Sequence, residues 1–262
     1  MADLLNPDIL NTILYSLGGG LIPILIWLWF WLKEDRAKPE PARLIVRVFL
    51  AGAVSVVIAY FFERAVCDFN WFKVACFGLS DSALLIANWQ TKILILIWAS
   101  IEEIFKFLAA YLVIFRQPAF DEPVDSMIYM ITAALGFAAL ENSIFLFTTL
   151  TETGSGAVFL LTGNLRFLGA NLIHIIASAL VGGMMALAFC FRRWQRFSYA
   201  IIGLAVAILL HALFNFLIII DNGKQLFKIL ALLWLFVLFI ILFFEKVKTV
   251  RCLKISDHSL NG

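Results

Sequence analysis

The chain has 262 residues, of which 63% are hydrophobic and 15% are charged, and its formal net charge is +2 at pH 7. Soluble domains are nearer half apolar and about a quarter charged, so this composition excludes an ordinary soluble globular protein and predicts an all-α, polytopic membrane helix bundle. The basic residues stand mostly in short runs at the ends of apolar segments, and nothing in the sequence indicates nucleic-acid binding.

Seven apolar segments are long enough to cross roughly 30 Å of hydrocarbon as helices. Helices are expected because backbone polar groups in lipid have to be paired within the segment. The start of the fifth span is the least well defined, since GAVFLLTGNLRF before it can also be read as a short interfacial or re-entrant piece. In chain order, the spans are predicted over residues 10–32, 44–62, 93–115, 126–150, 169–191, 199–220 and 227–244, within one domain over residues 1–262.

Positive charge predicts the orientation of the bundle. Twelve Lys and Arg residues follow the odd-numbered spans and six lie at the other ends, which predicts an outer N-terminus and a cytoplasmic C-terminus. Cys67 and Cys76 share the loop after the second span, on the predicted outer side. An oxidising compartment could join them there, and a disulfide and free thiols are both left open. Cys190 and Cys252 fall on the predicted cytoplasmic, reducing side.

Four spans carry ionisable or amide side chains in the membrane interior. A charged group there costs a few kcal/mol or more and is therefore a functional candidate. Counted at about 1.5 Å per residue from the outer end, the glutamates and histidines reach a similar level, roughly 8–14 Å into the bilayer. The polar set is Glu102, Glu103 and Lys106 in the third span, Glu141 and Asn142 in the fourth, Asn171 and His174 in the fifth, and His211 and Asn215 in the sixth.

Two imidazoles and two or three carboxylates at one depth suit a divalent metal such as zinc. A catalytic zinc typically keeps three protein ligands and a water, for which a further carboxylate serves as general base. The sequence has no H-E-x-x-H motif, so this hypothesis rests on residue types and depth. The candidate metal ligands are Glu103, Glu141, His174 and His211. The candidate catalytic residues are these four together with Glu102 and Asn215, of which Asn215 would donate to the oxyanion. We expect Lys106, Asn142 and Asn171 to support them through hydrogen bonds.

Four motifs on successive spans resemble the PrsW family: EEIFK at 102–106, FAALE at 137–141, the lone histidine His174, and HALFN at 211–215. These are intramembrane proteases of the wider superfamily that includes the CAAX prenyl endopeptidases and the bacterial CPBP/Abi proteins. The resemblance covers about residues 93–220. It implies hydrolysis of a peptide bond at or within the bilayer, a single-pass membrane protein substrate such as an anti-sigma factor, and a bacterial cytoplasmic membrane.

Two residues favour the PrsW branch over prenyl endopeptidases. Glu141 ends the second motif at a position where CAAX endopeptidases carry histidine. The first motif ends with Lys106, whereas those enzymes have an arginine one residue further along. Two mechanisms remain open: a metal-activated water, or a glutamate-activated water with His and Asn donors and no metal. We favour the paired glutamates as the base, with metal dependence open.

Two other functions are considered. Intramembrane Glu and His residues also build proton relays, but a proton-coupled transporter would more often show related halves, and the sequence has no convincing internal repeat. A non-catalytic scaffold or chaperone of the same fold could dispense with the glutamates, whereas all the motif residues are present here.

Overall fold

The structure, a computed structural model, describes residues 7–35, 38–69, 89–221 and 225–252. In this described part the ordered elements are helices: α1 (Pro7–Glu34), α2 (Ala42–Asp68), α3 (Trp89–Ile114), α4 (Asp125–Thr153), α5 (Gly156–Leu165), α6 (Asn171–Leu187), α7 (Arg193–Asp221) and α8 (Leu226–Lys248). A π-helical turn, Arg166–Ala170, joins α5 to α6 in one continuous helix of 32 residues.

With α5 and α6 counted as one continuous helix, there are seven long helices at the positions of the seven predicted spans, and the polytopic helical bundle is confirmed. Six of them, within the described ranges, are long and apolar enough to cross a membrane. The remaining helix, α3, is 26 residues long but carries Lys92, Glu102, Glu103 and Lys106. The fifth span differs from the prediction, because it begins at residue 156 and ends at 187. The segment GAVFLLTGNLRF is thus part of the span and not a separate interfacial piece.

Helix α4 lies at the centre of the bundle. Every residue from 124 to 139 is buried, and the helix contacts α1, α2, α3 and α6. Small residues permit this close packing: a Cβ on Gly136 would collide with the Phe49 carbonyl oxygen, and one on Gly52 with that of Ala133. Helix α6 is also buried from 171 to 179. Polar residues at the ends of these two buried stretches are consequently shielded by the surrounding helices.

One disulfide in the described part joins Cys190, just after α6, to Cys252, after α8; the two Cα atoms are 5.3 Å apart. Disulfides are rare in a reducing cytosol, but Cys67, at the opposite end of the bundle, is also disulfide-bonded. The cysteines therefore do not decide the orientation, which stays a prediction. Cys76, the residue considered as a partner of Cys67, lies outside the described residues.

Candidate active site

Four elements bring the predicted polar residues to one region of the bundle. Helix spacing explains the arrangement within each element, since residues three or four apart share a face. The contributing residues are Glu102, Glu103 and Lys106 from α3, Glu141 and Asn142 from α4, Asn171 and His174 from α6, and His211 and Asn215 from α7.

Glu103 is the buried anchor of the site. Its Oε1 atom accepts hydrogen bonds from Lys106 Nζ at 2.5 Å and from His211 Nδ1 at 2.7 Å. The side chains of Glu103 and Lys106 are both 0% exposed. Because an ionised carboxylate only accepts hydrogen bonds, Nδ1 of His211 carries the proton. Its Nε2 lone pair is then free, and it lies 3.8 Å from Glu102 Oε2.

His174 is held from both sides of its ring. Lys106 Nζ lies 2.8 Å from Nδ1, and because an ammonium group has only donors, Nδ1 is the acceptor. The proton is therefore on Nε2, which donates to Glu141 Oε2 at 3.0 Å. The rings of His174 and His211 meet edge to face, with centroids 5.1 Å apart. Each histidine thus has its own glutamate partner, Glu141 or Glu103.

Glu141 begins a polar chain that runs away from the histidines. Arg166 donates to Glu141 Oε2 at 2.6 Å and to Asn142 Oδ1 at 2.5 Å. Asn142 in turn donates to Asn171 Oδ1 at 2.7 Å. Asn171, expected from the sequence to orient the ring of His174, contacts Asn142 instead. This series of hydrogen bonds fixes the position of Glu141 and hence that of the His174 imidazole, which donates a hydrogen bond to it.

Glu102 differs from Glu103 and Glu141 because it makes no hydrogen bond to another described residue. Its Oε2 atom is buried without a partner, as is Oε2 of Glu103, but Glu103 accepts two hydrogen bonds through Oε1. The closest polar groups, Nζ of Lys106 and Nε2 of His211, are 3.9 and 3.8 Å away, beyond hydrogen-bond reach. One ligand atom each from Glu102, His174 and His211 lie within 4.8 Å of one another. Glu103 and Glu141, which the sequence suggested as ligands, stand behind the histidines as hydrogen-bond partners.

This donor set fits a zinc ion on two grounds. Two imidazoles and one carboxylate are a common ligand set for catalytic zinc, and each ligating histidine usually donates its other ring proton to a carboxylate or carbonyl. His211 and His174 donate in this way to Glu103 and Glu141, and Nδ1 of His174 is at present occupied by Lys106. The charges point the same way: with neutral histidines, the carboxylates of Glu102, Glu103 and Glu141 outnumber the cations Lys106 and Arg166 that contact them. A divalent cation would reverse this excess negative charge.

The site is open to its surroundings at two of its carboxylates. The side chains of Glu102 and Glu141 are 13% and 24% exposed, whereas Glu103 and Lys106 are fully enclosed. Asn215, one helical turn beyond His211 on the same face, is half-buried and makes no side-chain hydrogen bond with another described residue. An open edge with a free amide beside it is suited to receiving a peptide group.

Two residues of this region were not predicted as site residues from the sequence. Arg166 was assigned to the loop before the fifth span, but it lies inside that span and contacts Glu141. Glu63 follows the predicted end of the second span, yet α2 continues to Asp68. Glu63 is half-buried and within electrostatic range of Glu141 and Lys106. Longer helices than predicted thus bring both residues to the level of the site.

Comparison with known proteins indicates a protease. Residues 40–243 match the family described as PrsW family intramembrane metalloprotease. The chain is 28% identical over 242 residues to "Protease PrsW" of Clostridioides difficile (strain 630), covering 92% of this chain and 91% of the relative. It is 32% identical over 133 residues to "Protease PrsW" of Oceanobacillus iheyensis, covering 50% and 54%. "Protease PrsW" of Bacillus subtilis (strain 168) is 23% identical over 206 residues, covering 77% and 82%. No solved structure matches.

Proposed function

The chain belongs to the PrsW family of intramembrane metalloproteases, and from this premise we propose that Glu102, His174 and His211 form the centre at which it cleaves membrane proteins. The chain is a multi-pass membrane protease. The observation that carries the assignment is that ligand atoms of Glu102, His174 and His211 lie within 4.8 Å of one another, while Glu102 makes no hydrogen bond to another described residue. A buried carboxylate without hydrogen bonds is costly, which favours a role in binding a ligand.

A zinc ion would be held by Glu102, His174 and His211 in this proposal, with Glu103 and Glu141 orienting the two imidazoles. When bound, such an ion lowers the pKa of a water toward 7 and polarises a carbonyl. Glu103 and Glu141 each accept two hydrogen bonds, but Glu103 is fully enclosed whereas Glu141 is 24% exposed. We therefore assign Glu141 the role of accepting the proton of the attacking water.

Three other residues complete the proposed reaction. Lys106 pairs with Glu103 and donates to Nδ1 of His174. Because Nε2 of His174 donates to Glu141, Lys106 would release Nδ1 when that nitrogen binds the ion. Arg166 neutralises part of the charge of Glu141 and fixes its direction. Asn215, whose amide is not engaged by described residues, would donate a hydrogen bond to the oxyanion formed at the scissile carbonyl. The peptide is thereby oriented between the exposed edge of Glu141 and α7.

The proposed substrate is a single-pass membrane protein, such as an anti-sigma factor, in a bacterial cytoplasmic membrane. The candidate residues lie in the half of the bundle predicted to face outward, so we expect cleavage close to the outer membrane boundary of the substrate. Access from the side of the bilayer would let a transmembrane helix reach Glu102 and Glu141, the two exposed carboxylates.

New N-termini in the membrane proteome test this function. Cells expressing the wild type are expected to show cleaved single-pass proteins whose new N-termini map to the outer boundary of their spans. Cells expressing Glu102→Gln at equal level should lack these termini, and cells expressing Glu152→Gln, a change at an exposed residue at the end of α4, should keep them. Identical sets of termini for the wild type and Glu102→Gln would contradict the protease assignment of the site, and cuts at the cytoplasmic face would contradict the proposed access.

A further inference from the structure

A second cluster of carboxylates lies at the other end of α4. Asp35 directly follows α1, Glu40 precedes α2, and Asp125 is the first residue of α4. One carboxylate oxygen of each lies within 4.8 Å of those of the other two. Asp125 is sixteen residues from Glu141 along α4, or about 24 Å at 1.5 Å per residue. The cluster is therefore separate from the proposed active site.

Asp35 distinguishes this cluster from a group of exposed surface carboxylates, because its side chain is buried. It is 5% exposed, and its Oδ2 atom is buried without a hydrogen-bond partner. It also follows the C-terminal end of a 28-residue helix, where the helix dipole disfavours a negative charge and favours a cation. Burial, and then the charges of Asp125 and Glu122, raise the pKa of Asp35 to about 6, against the opposite effect of Lys248 and Lys38.

The other two carboxylates are held in place by protein donors. Asp125 Oδ2 accepts from the backbone N–H groups of Asp121 and Glu122, at 2.9 and 2.7 Å. The hydroxyl of Tyr129 donates to Glu40 Oε2. Carboxylates that bind metal ions are commonly oriented by such hydrogen bonds. The two side chains are also hydrogen-bonded to each other, which holds their carboxyl groups together beside Asp35.

The nearby lysines do not neutralise the cluster. Lys38 Nζ lies 2.6 Å from Asp121 and 3.4 Å from Glu122. Lys248 Nζ lies 2.6 Å from Glu245 and 3.6 Å from Glu34. Within the described ranges no Lys or Arg nitrogen forms an ion pair with Asp35, Glu40 or Asp125. Three carboxylates at this distance repel one another, and both neighbouring cations are engaged by other acids.

We propose that Asp35, Glu40 and Asp125 bind a divalent cation that prefers oxygen ligands, of the magnesium and calcium class. An all-carboxylate donor set suits these hard cations and not one that prefers nitrogen or sulfur. The bound cation would join the end of α1, the start of α2 and the start of α4. It would thereby fix the packing of α4, the helix that carries Glu141 to the active site.

Thermal unfolding of the full chain in detergent, after EDTA treatment and removal of the chelator, tests the site. Adding MgCl₂ or CaCl₂ is expected to raise the unfolding midpoint in a saturable manner, by about 5–10 °C at 100-fold excess over the dissociation constant. KCl at equal ionic strength should not reproduce the rise. Isothermal titration calorimetry with the same two salts should give one site per chain.

Three variants locate the cation. Asp35→Asn should abolish the rise without lowering the midpoint of the metal-free protein, because Oδ2 has no hydrogen bond to lose. Asp121→Asn, at a residue exposed and paired with Lys38, should keep the rise. His211→Ala should also keep it, which separates the cluster from the active site. A wild type without a saturable response, or an Asp35→Asn variant that retains it, would overturn the proposal.

Discussion

Replacing Glu102 with Gln is expected to lower the rate of substrate cleavage at least about 100-fold, the size typical of losing a group that acts directly on the reacting atoms. Glutamine keeps the size of the side chain but cannot supply a carboxylate ligand. The substitution removes no protein hydrogen bond from Oε2, so the variant should fold normally. Cleavage of a substrate identified through its new N-terminus, followed in detergent or liposomes, gives the rate.

Glu152→Gln is the matched control for this substitution, since Glu152 is exposed at the far end of α4. Its cleavage rate should equal that of the wild type. A Glu102→Gln protein that is folded and cleaves within about threefold of the wild type would remove Glu102 from the reaction.

Replacing Lys106 with Met is expected to lower the free energy of unfolding by about 3–5 kcal/mol, the cost of leaving one member of a buried ion pair unpaired. Lys106 is 0% exposed and contacts both Glu103 and His174. Its loss leaves the Glu103 carboxylate without a cation within hydrogen-bond distance and frees one side of the His174 ring. Denaturation of the purified protein in mixed micelles measures the change.

The double variant Glu103→Gln with Lys106→Met separates charge from packing. It should recover a large part of the lost stability, because glutamine is neutral and its side-chain oxygen still accepts a hydrogen bond from His211 Nδ1. Lys92→Met, at an exposed position of the same helix, should be near neutral. Equal instability of the single and double variants would mean that Lys106 stabilises the bundle through packing and not through its charge.

The number and type of the helices followed from the sequence because apolar runs of this length have few alternatives in lipid. The start of the fifth span did not follow from the sequence. Asn164 and Arg166 interrupt the apolar run, and a hydropathy window treats them as the end of a span. In the structure Arg166 lies within the span because Glu141 compensates its charge and Asn142 accepts a hydrogen bond from it. Such a tertiary contact is not visible in a local pattern.

The roles of the paired glutamates were likewise beyond local reasoning. Lys106 is three residues from Glu103 and four from Glu102, and either spacing permits an ion pair on a helix. The structure selects Glu103, at 2.5 Å against 3.9 Å for Glu102, because His211 approaches the same oxygen from α7. The sequence therefore identified the polar residues of the region but could not predict which carboxylate would be left for a ligand.

The π-helical turn at Arg166–Ala170 is a second feature without a sequence signal. Such turns occur frequently at functional sites. Here the turn lies between Arg166, which holds Glu141, and His174, which contacts the same carboxylate from the other side. One element thus supplies two contacts to Glu141, and neither the turn nor the shared partner follows from composition or periodicity.

Elemental analysis of the detergent-purified protein is the most direct test of the proposed zinc centre. We expect close to one zinc per wild-type chain, and a loss of that zinc in a His211→Ala variant that remains folded. Glu245→Gln, at an exposed residue near the end of α8, should retain the metal. The metal centre would be contradicted by a folded, active wild type that contains no zinc or other transition metal and whose activity is unaffected by a chelator. That result would leave activation of the attacking water to the glutamates alone.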